Sequence, residues 1–202
     1  MRGPIPAMTA DSGNSLAGIL LAAGGSSRLG QPKQLLKYRG EALVRRAAQC
    51  LCSYTYPTFI VTGAYRKETL SALAGTAVRE VHHPAWSRGM GSSIRAGVKA
   101  LDEDCEAVLI LLCDQYRIED TDLSRLCAAW AASPATITCA SWSGRLGPPA
   151  IFPRSEFSAL LSLEGDEGAR KLITAGHANA VPMPHAAHDV DTPQSMETMT
   201  QS

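Results

Sequence analysis

Short apolar runs rich in β-formers alternate along this chain with amphipathic stretches, and that alternation leaves few folds open. Gly18 to Ala22, Thr58 to Val61, Ala77 to Val81, Ala107 to Leu112 and Ala135 to Ser141 read as strands. A helical period runs through Glu41 to Cys52, Lys67 to Ala74, Ser92 to Leu101, Glu119 to Ala131, Ser155 to Leu161 and Gly168 to Ala175, with a last helix after Pro193. Strands separated by helices cannot pair as hairpins. The sheet is therefore expected to be mainly parallel and covered on both faces, an α/β/α sandwich of three layers. Such sheets bind ligands beyond the carboxyl ends of their strands, where loops and helix N-termini converge.

With 202 residues, one core is the natural expectation. Residues 1–15, rich in Gly, Pro, Ser and Asn and without the basic start and apolar stretch of a secretory signal, read as a disordered lead-in to a single domain over 16–202. The Gly and Pro cluster from Gly144 to Pro153 reads as an inserted substrate loop. Basic and acidic residues number 19 each, so no global field favours a nucleic acid or an anionic membrane as partner. The apolar runs Gly18 to Ala23 and Ala107 to Cys113 fall far short of the roughly 20 residues that cross a bilayer. Six cysteines lie mostly in apolar segments, without zinc-ribbon or CxxC spacing, and read as reduced core residues of a cytoplasmic protein.

Directly after the first strand the chain reads AGGSSRLGQPK from Ala23 to Lys33. Glycines at 24, 25 and 30 let the backbone turn tightly and bring its N–H groups close to phosphate oxygens, while Arg28 and Lys33 supply positive charge for a triphosphate. A Walker A loop would place Lys and then Ser or Thr after Gly30, where Gln31 and Pro32 stand instead. The GxGxxG of a dinucleotide loop is also missing. Farther on, Asp114 ends the most apolar run of the chain, Val108 to Cys113, which delivers a carboxylate to the edge of a buried strand. Mg²⁺ prefers oxygen ligands and often takes one or two carboxylates plus substrate phosphates. Gly89-Met90-Gly91-Ser92-Ser93 opens a helix, offering backbone donors and hydroxyls to a nucleobase edge; capping by Ser92 is the rival reading. Asp191-Thr192-Pro193 is a ready-made helix start, with Asp or Thr as cap. His185 and His188, beside Asp189, leave a Zn²⁺ site open against plain surface histidines, the latter favoured.

The segment LAAGGSSRLGQPK, Leu21 to Lys33, resembles the LAAGxSxRxGxPK signature of nucleotidyltransferases with a Rossmann-like, glycosyltransferase-A-like fold, the fold of nucleotide-diphospho-sugar transferases. It is most similar to the molybdenum cofactor cytidylyltransferase branch. WSRGMGSSIRAG from Trp86, LCDQ from Leu112, GPPAIF from Gly147, GDEGAR from Gly165 and DVDTP from Asp189 are similar to that branch's later motifs, in order. Tyr116 stands where the family usually has proline. The resemblance implies nucleotide binding by Leu21, Ala22, Ala23, Gly24, Gly25, Ser26, Arg28 and Lys33, with Gly91, Ser92 and Ser93 at the base. It implies that Asp114 and Asp191 hold Mg²⁺, with Asp189 as a supporting group, and that Arg28, Lys33 and Asp114 carry catalysis. Gly147, Pro148, Pro149, Asp166, Gly168 and Arg170 would face the acceptor, although Arg170 also reads as an ordinary surface arginine. CTP is the implied nucleotide, because the related guanylyltransferases tend to have Leu-Ala-Gly-Gly where this chain has Leu21-Ala22-Ala23-Gly24. The implied reaction moves CMP to a phosphorylated pterin, molybdopterin, and releases pyrophosphate, with a molybdoenzyme as downstream partner. Two alternatives stay open: a sugar or polyol phosphate as acceptor, and a non-catalytic accessory protein that only binds nucleotide and cofactor.

Overall fold

The computed structural model of the chain describes residues 15–166 and 168–201; nearly all of the expected lead-in, and Glu167 of the GDEGAR motif, lie outside them. The elements follow as β1 (Leu16–Ala22), β2 (Lys37–Tyr38), β3 (Glu41–Ala42), α1 (Leu43–Cys52), β4 (Thr58–Thr62), α2 (Arg66–Ala72), β5 (Val78–His82) and α3 (Met90–Val98). Then come β6 (Ala107–Leu112), α4 (Asp120–Ala131), β7 (Thr138–Trp142), β8 (Arg145–Pro153), α5 (Phe157–Leu161), α6 (Arg170–Ala175), β9 (Asn179–Pro182) and α7 (Pro193–Thr200). Seven strands form one sheet in the order β5-β4-β1-β6-β8-β7-β9, and β2 and β3 make a separate small hairpin. All pairings in the large sheet are parallel except those of β8, which runs against both of its neighbours.

Alternate residues of the central strands feed two cores, which is why these strands read as unbroken apolar runs. Leu16, Leu20, Leu109 and Leu111 pack with Val44 and Leu51 of α1 and with Leu123, Leu126 and Trp130 of α4. Ile19, Leu21, Val108 and Ile110 point the other way, against Ile94 and Val98 of α3, Phe157 and Leu160 of α5 and Ile173 of α6. The three-layer sandwich follows directly. Cysteines 50, 105, 113, 127 and 139 are buried, Cys52 is half-buried, and all six are free. Among the described residues no helix is long and apolar enough to cross a membrane.

The segment read as an inserted loop is instead the strand β8, next to the central strand β6 of the sheet. Ser143 and Gly144 both have positive φ, 45° and 74°, the twist that a two-residue hairpin turn requires between β7 and β8. The two prolines escape the rule against proline in an inner strand because the β7–β8 register jumps there. Cys139 pairs with Ala150 while Ala140 pairs with Gly147, so Pro148 and Pro149 sit in the bulge, where no ladder N–H is missed. On its other side β8 pairs with β6 only as far as Ile110 and Ala150. The last residues of β6 therefore leave the ladder on that side just before Asp114.

Candidate active site

A cleft of about 300 Å³ lies at the carboxyl edge of the sheet, between the loop after β1, the turn before α3 and the end of β6. Four of its polar side chains come from distant parts of the chain and meet there. Lys33 Nζ donates to Asp114 Oδ2 at 2.5 Å and to Asp191 Oδ1 at 2.9 Å, and Arg28 donates to Asp191 Oδ2 at 2.8 Å. Asp114 and Lys33 are mostly shielded from solvent, with side chains 8 % and 18 % exposed, whereas Arg28 is open at 71 %.

Local structure explains each placement. Asp114 follows β6 at the point where the ladder to β8 has ended. Asp191 is brought to it by Val190, which is fully buried against Leu29, Tyr38, Tyr116 and Met199 and whose N–H donates to the Asp114 carbonyl at 3.2 Å. Tyr116, the departure from the family's proline, fills this cluster edge-on to Tyr38 at 5.0 Å between ring centres. Between the two candidate caps of α7, the structure selects Thr192: its side chain accepts from the Ser195 N–H at 3.2 Å. The Asp191 carboxylate is thereby left for the cleft. Lys33 is set by the return of the glycine loop, where its own N–H donates to Ser26 Oγ at 3.1 Å.

Charge follows the geometry. Burial opposes an ammonium at Lys33, yet the Asp114 charge and the hydrogen bonds to Asp114 and Asp191 outweigh it and hold the group above the ordinary lysine value. Partial burial likewise raises Asp191, but the bonds and charges of Lys33 and Arg28 prevail and hold its carboxyl below the usual range. Asp189 is pushed up, first by burial and then by the neighbouring charges of Asp114 and Asp191.

The donor set suits a hard divalent cation. Asp114 Oδ1 is buried and has no hydrogen-bond partner, an orphaned anionic acceptor at the cleft wall. Among the described residues no cluster of three or more His, Cys, Asp or Glu is placed to hold a metal, so an ion here would draw its remaining ligands from water and phosphate oxygens, the habit of Mg²⁺. The histidines considered for Zn²⁺ are engaged elsewhere: His185 with Asp122 at 2.7 Å, His188 with Arg117 at 3.5 Å.

The remaining sequence candidates divide. Leu21, Ala22, Ala23, Gly24, Ser26, Ser93 and Asp166 line the cleft with Arg28, Lys33, Asp114 and Asp191. Gly25 stands beside it with the Trp86 ring so close that an added Cβ would lie 2.6 Å from the ring. Gly91 and Ser92 are buried outside the lining, and the Ser92 hydroxyl donates to the Gly89 carbonyl at 2.7 Å and meets His83 Nε2 at 2.8 Å. Ser92 thus neither caps α3 by accepting an N–H nor reaches the cleft surface. Gly147, Pro148 and Pro149 lie on β8 outside the lining, and Gln115 Nε2 ties the Pro148 carbonyl to the Asp114 loop at 2.7 Å. Gly168 sits near Met90 at the rim, and Arg170 is exposed at the start of α6. The two rim loops touch backbone to backbone: Gly91 N–H donates to the Gly165 carbonyl at 3.0 Å, and Gly89, at φ 100°, has Gly165 where a Cβ would be. Gln34 and Trp86 also line the cleft, and neither had been given a role from sequence.

Residues 18–181 match the MobA-like NTP transferase domain. The chain is 35% identical over 168 residues to the nicotine blue oxidoreductase of Paenarthrobacter nicotinovorans, covering 78% of this chain and 81% of that one. It is 29% identical over 196 residues to the purine catabolism protein PucB of Bacillus subtilis (strain 168), covering 90% and 94%. Among solved structures, Rv0371c of Mycobacterium tuberculosis H37Rv superposes with a TM-score of 0.79 at 25% identity over 94% of this chain and 98% of that one. The manganese complex of Rv0371C superposes with a TM-score of 0.75 at 24% identity, over 94% and 99%. With so much of its length matched, and with its cleft where such a sheet binds ligands, the chain belongs to the MobA-like NTP transferase domain family and is a nucleotidyltransferase.

Proposed function

We propose that the protein transfers CMP from CTP to a phosphorylated pterin of the molybdopterin type and releases pyrophosphate. The carrying observation is the convergence of Lys33 and Arg28 on Asp114 and Asp191 beside an orphaned Asp114 oxygen. The glycine loop, Arg28 and Lys33 bind the triphosphate, and Asp114 and Asp191 hold Mg²⁺, with Asp189 as a third carboxylate nearby. The manganese bound by the related Rv0371C supports a divalent metal in this fold. Bound there, the ion supplies charge neutralisation against the phosphates.

An oxygen of the acceptor's phosphate attacks the α-phosphorus in line. A new P–O–P linkage forms, the bond from the α-phosphorus to the bridging oxygen breaks, and pyrophosphate departs with that electron pair. Lys33, Arg28 and the loop N–H groups oppose the negative charge that builds on the leaving group. The attacking phosphate is already an anion, so positioning suffices and a strong general base is not required. Asp166 at the cleft wall is assigned to the acceptor together with Gly168 and Arg170 beyond the lining, and Gly147, Pro148 and Pro149, also outside it, are assigned there by the motif they resemble. Ser93, which lines the cleft, is assigned to the base, with Gly91 and Ser92 beside it at the start of α3. The choice of CTP rests on the motif Leu21-Ala22-Ala23-Gly24 and the choice of a pterin on the order of the later motifs.

Pyrophosphate release tests this, with each nucleoside triphosphate, Mg²⁺, and a panel of molybdopterin, sugar phosphates and polyol phosphates. Release with CTP and molybdopterin only is the expected result. Release with a sugar or polyol phosphate would move the acceptor. Nucleotide binding without release for any acceptor would replace catalysis by an accessory role.

A further inference from the structure

Gln34 is fully buried, yet it borders the cleft one residue after Lys33. Its Nε2 donates to the carbonyl of Ala22 at 2.9 Å and to that of Gly24 at 2.7 Å. This fixes the amide's orientation, because a flipped amide would set its oxygen against two carbonyl oxygens. The neighbouring carbonyls are held as well. Ala23 O accepts from Ala64 N–H at 3.1 Å, Gly25 O from the Tyr65 hydroxyl at 3.3 Å, and Ser26 O from the N–H groups of Leu29 and Gly30 at 3.0 Å each. Every carbonyl from Ala22 to Ser26 is therefore engaged, and Gln34 engages two of them with one side chain.

In a trans peptide the carbonyl of one residue and the N–H of the next point in opposite directions. Holding the Ala22 and Gly24 carbonyls thus aims the N–H groups of Ala23 and Gly25 away from Gln34. Released, the Gly24 carbonyl, which lies beyond the strand, would be free to swing toward an incoming anion and repel it, while Ala22 stays in the ladder with β4. A second observation separates this from plain packing. Gln34 Oε1 is buried without a partner, a standing penalty that an apolar side chain of similar shape would avoid. What the glutamine offers in return is its pair of N–H donors.

We propose that Gln34 is a positioning residue that orients the glycine loop to receive the nucleotide's phosphates. The inference rests on the reading of that loop as the phosphate cradle.

The test uses the full chain as Gln34→Met and Gln34→Glu. Inorganic tripolyphosphate binding is measured by calorimetry, and KM and kcat by pyrophosphate release. For Gln34→Met the tripolyphosphate Kd and the nucleotide KM are expected to rise at least about tenfold, while kcat falls by less than about threefold. A packing role would lower the active fraction, reducing apparent kcat with KM and Kd unchanged, and that pattern would overturn the proposal. Gln34→Glu keeps the shape and covers the case in which the methionine variant does not fold. At pH 8 its carboxylate offers no donor to the two carbonyls, so its tripolyphosphate Kd and nucleotide KM should also rise at least about tenfold over wild type. Unchanged Kd and KM in this variant overturn the proposal. Wild-type protein that binds neither tripolyphosphate nor any nucleoside triphosphate would sink the cradle reading itself, whereas wild-type binding matched by both variants would sink only the role of Gln34.

Discussion

Lys33 and Asp191 stand 158 positions apart in the chain and 2.9 Å apart in space, and the same ammonium bonds Asp114. The lysine occupies the place of a cation between the two proposed metal carboxylates. A divalent ion arriving alone must compete with it, while an ion arriving with a triphosphate offers the lysine another anion. Lys33→Met is therefore expected to bind Mn²⁺ at least about tenfold more tightly than wild type when no nucleotide is present, and to bind nucleotide more weakly. Electron paramagnetic resonance of Mn²⁺ measures the first and calorimetry the second. Unchanged metal affinity in the variant would show that the ammonium does not stand in for the ion.

Asp114 combines one oxygen held by Lys33 with one left buried and unpartnered. Asp114→Asn keeps the shape and removes the charge. Turnover is expected to fall at least about a hundredfold with cooperative unfolding retained. Near-normal rates of pyrophosphate release would remove Asp114 from the reaction.

Gly89 turns at φ 100° with the Gly165 carbonyl 2.3 Å from where a Cβ would stand. Gly89→Ala therefore meets backbone strain and backbone collision together, a cost on the order of 3 kcal/mol, or a drop in Tm of about 10 °C for a domain of this size. Opening the contact between the rim loops should also raise the nucleotide KM. Calorimetry and steady-state kinetics check the two parts, and an unchanged Tm would mean the loops are free to separate.

His83 supports the turn before α3 through Ser92. Burial, then the charges of Arg88, Arg95 and His82, hold its imidazole below the ordinary histidine value. Below about pH 6.5 the unfolded chain takes up a proton that folded His83 resists, so stability falls with pH until the folded imidazole is protonated too. His188 is shifted in the same direction and shares the loss. His83→Gln is expected to lose less Tm than wild type between about pH 7 and about pH 5. Equal losses in the two proteins would assign the effect elsewhere.

Much of the fold could be read from local pattern. The runs at β1, β4, β5, β6 and β7 and the amphipathic helices appear where expected, with ends displaced by a few residues. β8 escaped because its glycine and prolines are loop-formers by intrinsic preference, and only pairing with β6 and β7, with the prolines in a bulge, makes them a strand. β9 and the β2–β3 hairpin were too short to carry a period.

The site divides in the same way. Arg28, Lys33 and Asp114 could be picked out because a cationic glycine loop and a carboxylate at the end of an apolar strand are unusual locally. Gln34 could not, since its role lies in two backbone carbonyls that its own position in the sequence does not announce. Nor could sequence choose between Asp191 and Thr192 as the cap of α7.

Residue order by itself determined the layered α/β architecture and the kinds of chemical group gathered at the strand ends, because hydrophobic period and turn composition act over a few residues. Tertiary structure decided which of those groups touch. Burial of Val190 beside Tyr116, and its bond to the Asp114 carbonyl, bring Asp191 across to Lys33. That meeting depends on packing between segments far apart in the chain, which no local preference encodes.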